Sequence, residues 1–217
     1  HRGHLGEGPV AGDPDPQRTV VRAQLALDSD LPPDPQLFLD AGEHAMRMLD
    51  IDLAERFADA AAAGDPAAAA RLQAHCILAT RGGEQADEFL AGLHPADDAE
   101  RRGWALMRAV NMIWVLGRPA DAAAILAELG APDEAPAESG AERAAQLAVE
   151  ACIDAVTARC ADAEEKARAA IESGTLSDLN AFMAALALVM SAGALGHAAE
   201  VVPLAYEAIE RATGSYE

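Results

Sequence analysis

Aromatic side chains are scarce in this sequence, at 4% of its 217 residues, although apolar residues together make up 51%. Alanine accounts for much of that apolar share, and it combines the best helix propensity with a small side chain that lets helices approach closely. This composition excludes a collagen-like or broadly disordered chain and favours packed helices. The longest mostly apolar run, 181–195, is shorter than the roughly 20 residues that cross a bilayer, so we expect a buried core helix there.

Positive charge is also in short supply. Sixteen Lys and Arg residues face 36 Asp and Glu residues, which gives a net charge of −20, and Lys166 is the single lysine. Such a surface repels phosphate backbones and anionic lipid, so we expect neither direct nucleic-acid binding nor membrane contact. No signal peptide is visible and the chain begins at His1, which indicates a fragment or a processed chain.

Cysteine is rare and widely spaced. Cys76, Cys152 and Cys160 form no CxxC or CxxxH set, and an odd count argues against a disulfide scaffold. We therefore expect buried free thiols and a cytoplasmic protein. His75 stands next to Cys76, but adjacent helical residues point about 100° apart and no further ligand has the required spacing, so no metal site is predicted.

Motifs for catalysis are missing. The chain has no GxxxxGK[ST] loop and no basic recognition helix. Acidic residues such as Asp162, Glu164 and Glu165 fall on predicted caps or outer faces, and no pair is set apart by its environment as acid–base chemistry requires. The sequence predicts no enzyme activity and no cofactor.

Helical periodicity covers most of the chain, which predicts an all-α fold. Residues 1–33 read as a linker or tail with one short helix over 17–27, in which Val20, Val21, Leu25 and Leu27 are available for packing. The rest, 34–217, reads as a repeat domain of helix pairs with a possible hinge over 130–140. The predicted pairs are 35–49 with 52–62, 66–80 with 84–93, two helices over 98–129 joined at Gly117, 141–158 with 162–172, and 179–195 with 198–212.

Capping residues mark where several of these helices begin. Asp34 and Asp65 each precede a proline at the favoured first helical position. Asp97 or Asp98 is the cap candidate for the helix that carries both tryptophans, and Ser177 or Asp178 for the helix after residue 178.

An internal period supports about five repeats. When the pairs are aligned on a small residue early in each second helix, the units recur every 32, 36, 41 and 38 residues. These spacings are near the roughly 34 residues of a tetratricopeptide (TPR) repeat, and predict antiparallel pairs stacked as a TPR-like right-handed superhelix. The aligned small positions are Ala54, Ala86, Ala122, Ala163 and Val201; four residues later stand Ala58, Leu90, Leu126, Ala167 and Ala205; three later, Ala61, Leu93, Leu129, Ala170 and Ala208; and the turns fall five residues before the first set, at Leu49, Arg81, Gly117, Ala158 and Gly196.

Three stretches carry a family resemblance: LALDSDLPPDPQLFLDAGEHAMR (25–47), MLDIDLAERFADAAAAG (48–64) and GWALMRAVNMIWVLGRPADAAAILAEL (103–129). They resemble the helical-repeat region of actinobacterial LuxR-family transcriptional regulators of the MalT-like, signal-transducing ATPase type, over about residues 17–217. In that family a P-loop ATPase precedes the repeats and a helix-turn-helix DNA-binding domain follows them. The resemblance implies that ATP binding and DNA binding belong to domains outside this segment.

A concave binding groove is the corresponding site hypothesis. In a TPR superhelix the first helix of each repeat lines the concave face. Trp104, Met107, Asn111 and Trp114 share one helical face, opposite a core stripe of Leu106, Ala109, Val110 and Ile113, so this helix is either buried on both sides or offers its tryptophan side for binding. The predicted groove residues are Gln36, Glu43, Arg47, Arg71, His75, Trp104, Met107, Asn111, Trp114, Met183 and Met190.

Two functions fit this pattern. The first is the sensor arm of a LuxR-family regulator, which binds a peptide, protein or small inducer on the concave face and relays that binding to the attached ATPase and DNA-binding domains. The alternative is a stand-alone TPR adaptor that scaffolds protein partners.

Two of the predicted groove residues also have a simpler interpretation. Glu43 and Arg47 are four residues apart and fit an ordinary i,i+4 ion pair.

Overall fold

The chain is all-α. A computed structural model describes residues 16–29, 34–129 and 140–213, and within these ranges every regular element is a helix. Residues 130–139 of the predicted hinge and most of the predicted tail lie outside the described residues, and Gly140 is the first residue of a helix. No described helix is both long and apolar enough to span a bilayer. The helices are α1 (Pro16–Leu27), α2 (Pro35–Arg47), α3 (Ile51–Ala61), α4 (Pro66–Thr80), α5 (Gly83–Ala91), α6 (Asp98–Trp114), α7 (Pro119–Ala127), α8 (Gly140–Val156), α9 (Cys160–Glu172), α10 (Asp178–Leu195) and α11 (Ala198–Thr213).

Aspartate caps set the start of several helices. Asp34 accepts a hydrogen bond from the backbone N–H of Leu37 at 3.3 Å, and Asp65 accepts one from Ala68 at 2.9 Å, with proline at the first helical position of each. Asp97 caps α6 in the same way, through the N–H of Glu100 at 2.9 Å. These bonds satisfy backbone donors that a helix start leaves unpaired, so the predicted caps at Asp34 and Asp65 are confirmed.

The chain divides into two compact units, His1–Phe89 and Leu90–Glu217. We find no sequence signal for this division, which falls within the repeat domain predicted over 34–217. In the first unit, α1 packs on α2, α2 on α3, and α4 on both α2 and α3. Its core contains the stacked rings of Phe38 and Phe57, whose centroids are 6.1 Å apart. Helix α1 contributes Val20 and Ala23 to that core.

Packing in α1 differs from the sequence expectation at two positions. Val20 is buried and Leu27 packs partly against the core, as predicted. Val21 and Leu25, however, are 52% and 67% exposed, because α1 meets its neighbours along only one side.

In the second unit the helices pack in pairs, α6 with α7, α8 with α9, and α10 with α11. The pairs also contact one another: α8 packs on α6 and α7, and α10 packs on α8 and α9. One continuous core runs through the unit, and most of its members are alanine, leucine, isoleucine or valine. The predicted stripe on α6 belongs to it, since Ala109 and Ile113 are buried and Leu106 and Val110 pack against it.

The aligned positions of the second helices form a buried face. Of the fifteen residues in the three aligned sets, all except the partly buried Leu93 are buried. Most of them are alanine, so the second helices present a smooth surface on which a neighbouring helix can lie close. Their burial agrees with the predicted packing face of the second helices, whereas packing on a next repeat stays a prediction.

Left-handed backbone marks the turn within each pair. The backbone φ is 61° at Leu49, 65° at Gly117, 62° at Ala158 and 89° at Gly196, which are four of the five predicted turn positions. At the remaining turn the left-handed residue is Gly82, with φ of 97°, one position after the predicted Arg81. Leucine and alanine carry a steric cost in this conformation that glycine does not.

The three turns at Leu49, Ala158 and Gly196 share a hydrogen bond as well. In each, the N–H of the residue after the left-handed position donates to the carbonyl five residues earlier, over 2.9, 2.8 and 2.9 Å respectively. This is the helix-ending pattern in which a left-handed residue lets the last carbonyls find donors. The bond closes the first helix and turns the chain toward the second.

We expect Ala158→Gly to stabilise the protein by about 0.5–1 kcal/mol, because glycine removes the left-handed strain at the cost of a more flexible unfolded chain. Urea unfolding followed by circular dichroism measures the change. Ala169→Gly is the matched control, since Ala169 is exposed within α9 and glycine in a helix interior costs up to about 1 kcal/mol. Equal destabilisation by both substitutions would contradict the expectation.

Candidate functional site

Charged groups from α2 and α4 lie on the exposed surface of the first unit. The predicted residues Gln36, Glu43, Arg47, Arg71 and His75 are all exposed there. Glu43 Oε2 lies 3.5 Å from Arg47 Nη2, which confirms the i,i+4 ion pair. Desolvation lowers the pKa of His75, Glu43 opposes that shift and Arg71 adds to it, so these charges act on one another. This part of the predicted groove is a mixed-charge helix surface.

The predicted residues of the second unit separate into buried and exposed groups. Trp104, Asn111 and Met183 are buried, with 7%, 5% and 3% of their surface exposed. None of the three therefore belongs to an open surface. On α6 the side that carries Trp104 and Asn111 is buried at both residues, and Met183 is buried on α10. Trp114, at the end of α6, is 40% exposed and Met190 is 39% exposed. Met107 is half-buried.

Helix α10 carries an apolar stripe on its outer side. Counted from Leu179 as position i, the stripe consists of residues at i, i+3, i+7, i+10, i+11 and i+14. These positions lie within about 100° of one another around a helix. Leu179 is 55% exposed and Phe182 is 51% exposed. Ala184, Leu188 and Ala192 occupy the opposite side and are fully buried in the core. We call this surface the α10 stripe; its members are Leu179, Phe182, Leu186, Val189, Met190 and Gly193.

A cleft of about 280 Å³ opens between α3, α4 and α5 of the first unit. We call it the α3–α5 cleft. Sequence reasoning did not find it, because its walls come from three helices. The sequence does carry a partial signal in its helical spacing. Glu55 and Asp59 on α3 are four residues apart, and Gln73, Ile77 and Arg81 follow one another at intervals of four along and just after α4. The lining residues are Glu55, Asp59, Gln73, Ile77, Arg81 and Phe89.

An ion network joins α8 and α9. Asp154, whose side chain is 5% exposed, bonds the guanidinium of Arg159 and lies 2.9 Å from Lys166 Nζ through Oδ2. Lys166 also lies 3.1 Å from Glu150 Oε2. Burial alone lowers the pKa of Lys166, but its hydrogen bonds to Asp154 and Glu150 outweigh burial, so the pKa lies above its usual value. The network holds the single lysine in a structural role.

A second polar contact ties α9 to the turn before α11. Glu164 Oε2 lies 2.7 Å from His197 Nε2, and Glu164 Oε1 lies 2.7 Å from Arg168 Nη2. The hydrogen bond from Arg168 is the main cause that holds the pKa of Glu164 below its usual value; burial opposes it and His197 adds to it. Because His197 follows Gly196, this carboxylate fixes the α10–α11 turn to α9.

The buried cysteines are not activated nucleophiles. Burial raises the pKa of Cys152 to about 12, and its thiol donates to the carbonyl of Met183 at 3.3 Å. The pKa of Cys76 is raised to about 11, chiefly by burial and then by Glu55. Both thiols stay protonated at neutral pH, whereas thiol chemistry requires the thiolate. Cys160 is partly exposed at the start of α9.

We expect Glu164→Gln to destabilise the protein at pH 7 more than at pH 3. The folded pKa of Glu164 lies below the unfolded one, so its stabilisation is present above the unfolded pKa of about 4.3 and is lost as pH falls through the folded pKa. Urea unfolding at several pH values measures the difference between the two proteins. Glu165→Gln, at an exposed neighbour, is the control, and a difference that stays constant from pH 7 to pH 3 would contradict the assignment.

Comparison with known proteins returned no match. No family model matches the chain, and neither the curated proteins nor the solved structures contain a match. Two surfaces of the described residues are the candidate sites, the α10 stripe and the α3–α5 cleft.

Proposed function

We propose that the chain is a regulatory binding module built from about five stacked helix pairs in a TPR-like right-handed superhelix. Support comes from the left-handed turns that recur within the pairs and from the buried small positions that recur in the second helices. In the second unit, α8 also packs on α6 and α10 packs on α8. Contact between successive first helices is the arrangement that a stack of helix pairs requires.

The observation that carries a binding function is the α10 stripe. Between Leu179 and Leu195 the helix has no charged residue, and a helix that is apolar all round is normally buried on all sides. Here half or more of Leu179 and of Phe182 is exposed. Exposed apolar side chains grouped on one side of a helix support a protein–protein contact there.

The occupant that fits this stripe is an amphipathic helix of a partner, with its apolar face flanked by Lys or Arg. The stripe extends over about 20 Å at 1.5 Å per residue, which matches four turns of a docked helix. Glu200, Glu207 and Glu210 are exposed on α11, the next helix along the chain, and the whole chain carries a net charge of −20. A basic partner is attracted to such a surface, whereas a second copy is repelled.

Within a LuxR-family regulator this docking performs the relay. A partner on α10 changes the packing of the last helix pairs, and that change reaches the attached ATPase and DNA-binding domains. The resemblance of residues 25–64 and 103–129 supports this setting, and the three free cysteines, Cys76, Cys152 and Cys160, fit a reducing cytoplasm.

The alternative function is a stand-alone adaptor, which uses the same stripe to scaffold partners. The coding sequence on either side of this segment separates the two. A P-loop upstream and a helix-turn-helix downstream support the regulator. A reading frame that starts just before His1 and stops just after Glu217 supports the adaptor and contradicts the regulator.

We expect a labelled helical peptide with a leucine face and lysine flanks to bind the chain, and Phe182→Asp to weaken that binding by about tenfold or more. An aspartate within the stripe would be buried opposite leucine without a partner, which costs well over 1 kcal/mol. Fluorescence anisotropy at physiological ionic strength measures the dissociation constant, and circular dichroism checks that the variant is folded.

Two controls separate docking from charge attraction. Leu25→Asp adds the same charge at an exposed apolar residue of α1, and a peptide with the same composition but a scrambled order lacks the apolar face. We expect the Leu25→Asp protein to keep its affinity and the scrambled peptide to bind weakly. Equal binding of both peptides, or equal loss in both variants, would refute docking on the α10 stripe.

A further inference from the structure

The α3–α5 cleft offers hydrogen-bond acceptors that the fold does not use. Asp59 Oδ1 accepts from Gln73 Nε2 at 2.8 Å, and Glu55 Oε1 lies 3.8 Å from Arg81 Nη2. Among the described residues, no other hydrogen bond or ion pair involves either carboxylate, which leaves Asp59 Oδ2 and Glu55 Oε2 available to a ligand. A ligand that donates hydrogen bonds can bind at both oxygens.

The charge of the cleft is negative. Two carboxylates and one guanidinium line it, which leaves one net negative charge. Burial is the main cause that raises the pKa of the neighbouring Cys76 thiol to about 11, and the charges of Glu55 and Asp59 raise it as well. Arg81 does not cancel the field, because 61% of its side chain is exposed to solvent.

One side of the cleft is apolar. Ile77 is buried on α4, and Phe89, which is half-buried on α5, also lines the cleft. An aromatic ring beside two carboxylates attracts an organic cation, since the ring face binds the charge and the ring also covers an apolar group. The volume of about 280 Å³ limits the ligand to the size of a small metabolite or a single side chain.

Other ligand classes fit less well. Among the described residues no group of three or more His, Cys, Asp and Glu side chains could hold a metal ion, and hard cations such as Ca²⁺ require six or more oxygen ligands. An anion would bring its charge next to Glu55 and Asp59, with only the solvated Arg81 in its favour. The chemistry of the lining therefore selects a donor that is both positively charged and partly apolar.

We propose that the α3–α5 cleft binds a small organic monocation, a primary amine or guanidine attached to a short apolar or aromatic group. Its charged end donates to Asp59 and Glu55, and its apolar end lies against Ile77 and Phe89. This inference goes beyond the proposed docking function, because the cleft belongs to the first unit and the α10 stripe to the second. A result that contradicts the cation site therefore leaves docking on the α10 stripe untouched, and the reverse also holds.

Isothermal titration of the whole chain with 2-phenylethylamine tests the proposal, with 2-phenylethanol as the uncharged match. We expect saturable binding of the amine in the millimolar range and about a tenfold preference over the alcohol. Asp59→Asn keeps the acceptor for Gln73 but removes the charge, and we expect it to weaken amine binding about fivefold, as loss of one partly solvated ionic contact does. Glu55→Gln should act in the same direction.

The matched control is Asp40→Asn, on the exposed surface of α2, a helix that does not line the cleft. It removes one charge and keeps the acceptor for Gln36, as Asp59→Asn does for Gln73. It should leave the affinity for the amine unchanged. Equal affinity for amine and alcohol, equal loss in Asp40→Asn and Asp59→Asn, or no saturation below about 20 mM amine would overturn the proposal.

A capped arginine, Nα-acetylarginine amide, distinguishes the source of the cation. Tighter binding of the capped arginine than of the amine identifies a basic side chain of a polypeptide as the ligand. Tighter binding of the amine identifies a free metabolite. Either result supports a cation site in the cleft, provided that Asp59→Asn weakens the same ligand and Asp40→Asn does not.

Discussion

Close approach between helices is the constraint on which the rest of this structure depends. The second helices present alanine at most of their aligned buried positions, and Gly42 on α2 has the same role: a Cβ there would lie 2.3 Å from Leu72 Cδ2. Each alanine buries little apolar area, so cohesion comes from many close contacts rather than from a few large side chains. Few aromatic side chains enter these cores: Phe38, Phe57 and Trp104 are buried, whereas Phe182, Tyr206 and Trp114 are exposed.

Close packing of the helices also constrains the turns between them. A helix pair can lie close together only if the chain reverses within a few residues, and a left-handed residue achieves this. At Ala158 the chain reverses without glycine, and contacts of the next residue offset the steric cost of the left-handed backbone. The backbone N–H of Arg159 donates to the carbonyl of Asp154, and the guanidinium of Arg159 bonds the carboxylate of Asp154. Lys166 then holds that carboxylate against α9. Turn geometry and the buried ion network therefore stabilise one another.

Sequence periodicity predicted the helices well because local forces determine them. Helix bounds, the aspartate caps and the buried face of each second helix follow from spacing and propensity within single segments. The tryptophan side of α6 was harder, because the helix is apolar on two sides and periodicity cannot tell which side a distant element covers; Trp104 proved buried and Trp114 exposed. The α3–α5 cleft escaped prediction for a related reason, since Asp59, Gln73 and Phe89 meet only through tertiary packing.

The position of the α10 stripe determines how a docked partner could act on the rest of the second unit. The side of α10 opposite the stripe packs on α8 and α9, so a partner that pushes on α10 pushes on that packing. Tightly packed interfaces shift between discrete arrangements rather than deform smoothly. The contact of Glu164 with His197, at 2.7 Å, ties α9 to the end of α10. A displacement of α10 therefore either carries α9 along as one body or breaks this contact.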